Sequence, residues 1–121
     1  MSAFGSVSRL KIVPIWDGAI ARAFEGRDVM VALVELDPNA VVAEHQHPNE
    51  QIGFIVKGSL RFTVGGETRV LEVGDTYIIP AGVLHDAAAG PEGAVAVDVF
   101  APPRADWGRF ELQPPRPPIW P

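Results

Sequence analysis

The chain of 121 residues contains no cysteine. A disulfide framework and a thiolate metal site are therefore both excluded, and any metal ion must be held by nitrogen and oxygen ligands. A chain without cysteine fits the reducing cytoplasm, so we expect a cytoplasmic protein.

Long apolar runs and concentrated positive charge are also missing. No run approaches the roughly 20 apolar residues of a membrane span, and residues 1–6 show no basic segment followed by an apolar one. We therefore expect a soluble, unexported protein without a membrane partner. The chain has 10 basic and 15 acidic residues, which gives a formal net charge of −5. Without a basic stripe, a nucleic-acid partner is excluded.

No long segment has helical periodicity. Short apolar runs, separated by Gly, Pro, Asn or Asp about every ten residues, predict a single all-β domain, a sandwich or barrel. Gly65 and Gly66 suit a two-residue hairpin turn because both accept positive φ. The expected strands are 10–13, 29–36, 41–47, 51–57, 60–64, 69–71, 76–79, 84–88 and 94–100.

The expected domain spans residues 1–112, and a proline-rich tail follows over residues 113–121. A proline-rich segment is extended because its prolines donate no backbone hydrogen bonds. Such a tail can be a ligand for a proline-recognition module, but packing on its own domain or on a partner subunit is favoured.

All three histidines of the chain stand in two turn-bounded segments. His45 and His47 are two residues apart, so on a strand both imidazoles leave one face, together with Val41 and Ala43. His85 follows a Pro-x-Gly turn, from which we expect it to supply a ligand from across the barrel. A lone His-x-His pair is weak evidence for a metal.

Gln51 opens the next strand, and Gly53 on the same face is expected to leave room beside a bound ion. Glu50 is an alternative ligand, but its parity sends it to the opposite face. The predicted metal ligands are therefore His45, His47, Gln51 and His85, a set that suits a divalent transition metal ion such as Zn, Ni, Fe, Cu or Mn.

One face of the last predicted strand has the composition typical of a cavity wall. Ala94 and Ala96 share that face with Asp98 and Phe100. Arg104 follows two prolines, where a guanidinium suits capture of a carboxylate. The alternatives are structural: Asp98 pairs with Arg104 or Tyr77, Phe100 is core, and Arg104 is a surface charge.

Two motifs resemble those of the cupins. The first is His45-x-His47-x3-Gln51-x6-Gly58, the second is Gly74-x5-Pro80-x-Gly82-x2-His85, and the resemblance covers about residues 10–112. It implies a jelly-roll β-sandwich, also called a double-stranded β-helix, with a divalent metal inside. The chain departs from the pattern at Gln51, usually glutamate, and at Ala89, often asparagine. Four neutral ligands leave the ion's double charge uncompensated, which favours anionic substrates.

Residues 45–53 and 98–107 are similar to the corresponding segments of KdgF-like pectin-degradation cupins. The resemblance implies that three histidines and a glutamine hold the metal, while Asp98, Phe100 and Arg104 line the active site. It implies conversion of 4,5-unsaturated monouronates, released by pectate and alginate lyases, into linear 5-keto-4-deoxyuronate by ring opening and ketonisation.

Two other functions compete with this one. One is another small-molecule cupin enzyme, such as an Fe(II) dioxygenase or an isomerase. The other is a non-catalytic module that binds a sugar acid, which would leave Asp98 without a proton-transfer task. The outward valines of the last strand and an apolar fraction of 47% favour a homodimer joined sheet to sheet.

Overall fold

The computed structural model describes residues 2–121 and is built almost entirely of strands. Within those residues, helical structure is limited to two 3-10 turns, Val7–Arg9 and Ala105–Arg109. The all-β prediction is confirmed. The strands are β1 Ile12–Trp16, β2 Ala19–Glu25, β3 Met30–Leu36, β4 Val41–His45, β5 Glu50–Val64, β6 Glu67–Leu71, β7 Thr76–Ile79 and β8 His85–Ala101.

Two long strands join the two sheets of the fold. β5 and β8 pair antiparallel with each other, and each bends from one sheet into the other. The N-terminal part of β5 pairs with β7 and its C-terminal part with β6. β8 pairs first with β4 and then with β3. One sheet is therefore β1-β2-β3-β8-β5-β7 and the other β4-β8-β5-β6, the jelly roll that was predicted.

The bends lie where the sequence indicated breaks between strands. The pairing of β5 with β8 shifts register around Gly58, which has a φ of 71°, and a Cβ there would collide with the carbonyl of Gly93. Four expected strands, 51–57, 60–64, 84–88 and 94–100, are thus two continuous ones. The predicted breaks are corners because glycine lets the ladder bend without ending it.

The hairpin between β5 and β6 is confirmed, but β2 was missed. Gly65 and Gly66 have φ values of 54° and 86°, and Val64 pairs with Glu67 across the turn. β2 has the sequence Ala-Ile-Ala-Arg-Ala-Phe-Glu, and Ala and Glu are depleted in strands. Its inward residues are the small alanines, so the usual contrast between a large apolar face and a polar face is absent.

The hydrophobic core fills the space between the two sheets and reaches β1, β2, β3, β5, β7 and β8. Towards one end the inward positions become polar, and His47, Gln51, His85 and Asp98 are all buried there. None of the helices in residues 2–121 has the length and apolar character needed to cross a membrane.

The proline-rich tail lies on its own domain. Gln113 exchanges two backbone hydrogen bonds with Ile12 of β1. Further along, fully buried Arg22 donates to the carbonyls of Arg116 at 2.6 Å and Pro117 at 3.4 Å, and pairs with Glu35 at 2.7 Å. The tail thus covers the outer face of β2 and β3.

Candidate metal centre

The three histidines converge at the polar end of the jelly roll. One potential ligand atom from each imidazole lies within 4.8 Å of the others. His45 at the end of β4 and His85 at the start of β8 are direct cross-strand partners. The expectation that His85 reaches in from across the barrel is wrong, because β8 runs beside β4.

The predicted strand parity around His45 is also wrong. The pairing of β4 with β8 shifts register between Val42 and His45, so these two residues both face inward, whereas Val41 is 65% exposed. β4 ends at His45, and His47 stands in the following loop. That loop is tied to the second motif by a hydrogen bond from the amide of Gly82 to the carbonyl of His47, at 2.8 Å.

Each imidazole is oriented by a backbone carbonyl two residues away. His45 Nδ1 lies 2.8 Å from the carbonyl oxygen of Ala43, and His47 Nδ1 lies 3.0 Å from the carbonyl oxygen of Asn49. For His85 the partner is the oxygen of Val83, at 2.8 Å. Because a carbonyl only accepts, Nδ1 carries the proton in the neutral ring and Nε2 is left as the basic nitrogen.

A metal ion fits this arrangement. His85 Nε2 is buried and has no hydrogen-bond partner within residues 2–121, which is costly unless something else binds it. His47 Nε2 lies 3.1 Å from Gln51 Oε1, so the fourth predicted ligand belongs to the same cluster. Three imidazoles and an amide oxygen form a donor set that first-row transition metals accept.

Burial keeps these imidazoles neutral. Desolvation lowers the pKa of His45 and His47 below the usual value, and the positive charge of Arg104 adds to that effect. For His85, desolvation lowers the pKa to about 4. Since a metal binds neutral imidazole, the site is ready for an ion at neutral pH.

Gln51 connects the histidine cluster to Asp98. Its Oε1 faces His47, while its Nε2 donates to Asp98 Oδ1 at 3.1 Å. An amide can make both contacts, whereas a glutamate would place a second carboxylate against Asp98. Glu50 is exposed on the other face of β5, so Gln51 is the residue that points into the site.

Asp98 is only 5% exposed, and it also accepts a hydrogen bond from Tyr77. The structure thus pairs Asp98 with Tyr77, one of the alternatives raised above. Burial raises the pKa of Asp98 to about 6, against the opposing effect of its hydrogen bonds from Tyr77 and Gln51. A carboxyl group of that acidity suits proton transfer near neutral pH.

Gly53 makes space for this pair. A Cβ on Gly53 would lie 2.5 Å from Asp98 Oδ1 and 2.6 Å from the Tyr77 hydroxyl. The expectation that Gly53 leaves room beside a bound ion is therefore corrected, because the space left by the missing side chain is filled by Asp98 and Tyr77.

Arg104 lines a pocket together with His45, His85 and Asp98. Its Nε and Nη2 donate to Asp106 at 2.9 and 2.8 Å, and its guanidinium carbon lies 5.0 Å from the ring centres of both Phe100 and Trp107. Only 9% of the side chain is exposed, so Arg104 is not a free surface charge. Its Nη1 makes no hydrogen bond within residues 2–121 and remains for a ligand.

Asn49 links the two halves of the site. Its carbonyl orients His47, and its side-chain amide donates to the carbonyls of Pro102 at 2.6 Å and Pro103 at 3.1 Å. The segment that carries Arg104 is thereby fixed relative to the imidazoles. Asn49 is not among the site residues predicted from the sequence.

Sequence reasoning did not include other residues of the pocket wall. Trp16 is 38% exposed, and its ring centre lies 5.3 Å from that of His45. Trp107 packs edge-on against Phe100. Trp107 follows Arg104 by three residues, and this weakly indicates that it belongs to the pocket wall. Trp16 comes from a distant strand, and no feature of the sequence indicates its place in the pocket wall.

Known proteins resemble this chain in sequence and in fold. Residues 32–100 match the family described as the cupin domain. The pectin degradation protein KdgF of Dickeya dadantii is 33% identical over 66% of this chain and 74% of its own. KdgF from Halomonas sp. superposes with a TM-score of 0.79 at 29% identity, over 88% of this chain and 98% of its own. An RmlC-like cupin from Shewanella frigidimarina superposes with a TM-score of 0.81 at 27% identity, over 88% of this chain and 96% of its own.

Proposed function

The chain belongs to the cupin family and is KdgF-like, and on that premise we propose that it linearises 4,5-unsaturated monouronates. The substrates are released by pectate and alginate lyases, and the product is 5-keto-4-deoxyuronate. The relative from Dickeya dadantii is a pectin degradation protein, which supports a sugar acid as substrate. The absence of cysteine supports a cytoplasmic location.

The proposed reaction is an isomerisation in which atoms and charge balance. The C1 hydroxyl loses a proton, the bond between C1 and the ring oxygen breaks, and the ring oxygen takes up a proton, which leaves an aldehyde at C1 and an enol at C5. The enol oxygen then loses its proton while C4 gains one, which gives the ketone. The enzyme must move protons and bind a carboxylate, but it needs no oxidant or reductant.

Each step of this reaction can be assigned to a residue of the site. Asp98 moves the protons, since burial raises its pKa to about 6 and it lines the pocket. Arg104 binds the substrate carboxylate through Nη1, the donor that Asp106 leaves unused. Phe100 forms the apolar wall beside them. A divalent transition metal held by His45, His47, Gln51 and His85 would supply Lewis-acid polarisation of substrate oxygens.

One observation carries the proposal. Three oriented imidazoles form a cluster, and one of them has a buried and unpartnered Nε2. Two of the three, His45 and His85, line a pocket together with a carboxyl of raised pKa and an arginine that keeps a free donor. A cation site, a proton carrier and a carboxylate anchor are what this reaction requires.

The test follows the loss of the conjugated double bond of an unsaturated uronate by ultraviolet absorbance. Purified protein should speed this loss, a chelator should abolish the effect, and readdition of metal should restore it. Acceleration by chelator-treated protein would contradict metal dependence.

The same assay separates the competing functions. Oxygen consumption without isomerisation would indicate a dioxygenase. Saturable binding of the uronate with no change in the sugar would indicate a binding module. Either result would end the proposal.

We also propose that the chain forms a homodimer through the outer face of the β3-β8-β5-β7 region. The tail covers the part of this sheet near Arg22, but Ile52 and Phe54 are each 44% exposed and Ile78 is 67% exposed. They surround Val97 and Val99 in an apolar patch. Sedimentation at micromolar concentration should show a dimer that Phe54→Asp converts to a monomer. A monomeric wild-type chain would contradict it.

A further inference from the structure

Tyr77 is the only tyrosine of the chain and a buried group that the reaction above leaves without a task. Its hydroxyl donates to Asp98 Oδ1. Its ring packs against Phe62, with ring centres 4.8 Å apart, so the phenol has a fixed direction.

The sheet aligns Tyr77 with Asp98 across one intervening strand. Gly53 on β5 pairs with Tyr77 of β7 on one side and with Asp98 of β8 on the other. Strands two apart are separated by roughly 10 Å. The long phenol side chain spans this distance over Gly53, where any Cβ would collide with both partners.

Asp98 receives both of its hydrogen bonds on the same oxygen. Tyr77 donates to Oδ1, and Gln51 donates to Oδ1 from the next inward position of β5. No hydrogen bond from within residues 2–121 reaches Oδ2. The carboxyl is therefore held by one oxygen while the other is left for a ligand.

We propose that Tyr77 is a positioning residue that, together with Gln51 and above Gly53, fixes Asp98 so that Oδ2 is the atom that exchanges protons with the substrate. The arrangement of Gln51, Gly53 and Tyr77 around Asp98 forms a carboxyl cradle. The role of the carboxyl cradle in catalysis rests on the proposed function.

Tyr77 acts as a donor and not as an acid or base itself. Burial, together with the neighbouring Asp98 charge, raises the pKa of Tyr77 well above its ordinary value. The phenol therefore keeps its proton throughout the neutral range and stays a hydrogen-bond donor to Oδ1.

Tyr77→Phe tests the cradle, because it removes the donor and keeps the ring. Because Asp98 would then be held by Gln51 alone, kcat should fall by about 10- to 100-fold, the range typical for the loss of such an orienting partner. KM should stay within about twofold, because the contacts of Arg104 are unchanged. Metal content should also stay the same. A kcat within about twofold of wild type would overturn the proposal.

A second variant addresses the same geometry from the other side. Gly53→Ala places a methyl group where Asp98 Oδ1 and the phenol meet, so kcat should fall at least as far as in Tyr77→Phe. Gly26→Ala is the matched control, since nothing lies within 4 Å of a Cβ there. Equal kcat in the two alanine variants would contradict the cradle.

A spectroscopic measurement separates the cradle from the proposed function. The ultraviolet resonance Raman signal of tyrosine reports whether the phenol donates a hydrogen bond, and here it arises from Tyr77 alone. Wild type should show a strong donor, and Asp98→Ala should lose that signature. If wild type fails to convert the uronate, the proposed function falls, and this comparison still decides the cradle. Identical spectra would overturn it.

Discussion

Two groups of buried polar side chains in this molecule are held in opposite ways. In the metal centre, each imidazole is oriented by a carbonyl only two residues away. Arg22 instead depends on Glu35, 13 residues away, and on the tail carbonyls of Arg116 and Pro117, 94 and 95 residues away. The first arrangement is specified locally, and the second forms only when the chain has closed on itself.

Because of this difference, we expect substitutions in the two groups to affect different properties, activity in one case and stability in the other. A ligand imidazole that is removed leaves the local backbone of the others in place, so the fold should survive. A change at Arg22 leaves the half-buried Glu35 and two tail carbonyls without their donor. We therefore expect the metal centre to control activity, and the Arg22 cluster, made of Arg22, Glu35 and the two tail carbonyls, to control stability.

The broadest effect, on metal content as well as on activity, is expected from loss of a ligand. His85→Ala removes the imidazole whose Nε2 is buried without a partner, so metal binding should be lost and turnover should fall by more than about 100-fold, the upper range for an orienting partner of a ligand. The melting temperature of the metal-free form should match that of metal-free wild type. Elemental analysis and the uronate assay measure metal and turnover; full metal content would contradict the ligand assignment.

Asp98→Asn sharpens the contrast within the pocket. The introduced amide oxygen would still accept a hydrogen bond from Tyr77, so metal content and folding should be kept while kcat falls by about 100- to 10,000-fold, the usual contribution of a general acid-base group. Steady-state kinetics with parallel metal analysis is the check. Turnover near the wild-type rate would remove the proton-transfer role.

Arg22→Met breaks the other side of the comparison. Loss of one partner of a buried ion pair costs about 3–5 kcal/mol, so the melting temperature should fall by about 10 °C or more. Activity of the folded enzyme at low temperature should be unchanged. Arg27→Met is the control, because its pair with Asp28 is exposed. Equal melting temperatures for the two variants would show that the tail contacts do not stabilise the fold.

Arg104→Ala should act mainly on substrate binding. A charge-assisted hydrogen bond is worth about 1.5–3 kcal/mol, which corresponds to a rise in KM of about 10- to 100-fold. The change in kcat should be much smaller. An unchanged KM would remove the carboxylate-binding role.

The smallest expected effect is that of mild acid on metal retention. Because desolvation lowers the pKa of all three histidines, and that of His85 to about 4, protons compete weakly for the ligands. The protein should therefore release its metal only below the pH of about 6.5 at which ordinary histidines titrate. Release that begins at about pH 6.5, where ordinary histidines titrate, would contradict the lowered values.

The same contrast explains how much the sequence could reveal. His45, His47 and Gln51 were identified because their spacing and the nearby turns are local features. The orientation of Gln51 towards Asp98 joins residues 47 apart, and no local pattern encodes it. The contact of Tyr77 with Asp98 joins residues 21 apart, so the sequence could offer it only as one of two alternatives. Arg22 is the extreme case, since a fully buried arginine in an alanine-rich strand resembles a solvent-facing one in sequence.

The fold itself was predictable to the level of its architecture. The glycines around residues 58 and 90–93 indicated interruptions, but whether a chain turns back or bends depends on which strands meet there, and that is set by long-range pairing. The same limit placed His85 on the wrong side, because its position beside His45 follows from the pairing of β4 with β8.

The proposed chemistry depends on three imidazoles and one amide that together hold a divalent transition metal. X-ray absorption spectroscopy of gently purified protein, combined with elemental analysis, decides whether they do. We expect about one metal ion per chain, with a scattering pattern of three imidazoles and no sulfur. A protein without stoichiometric metal, or an ion with fewer than three imidazoles, would show that this metal centre does not exist.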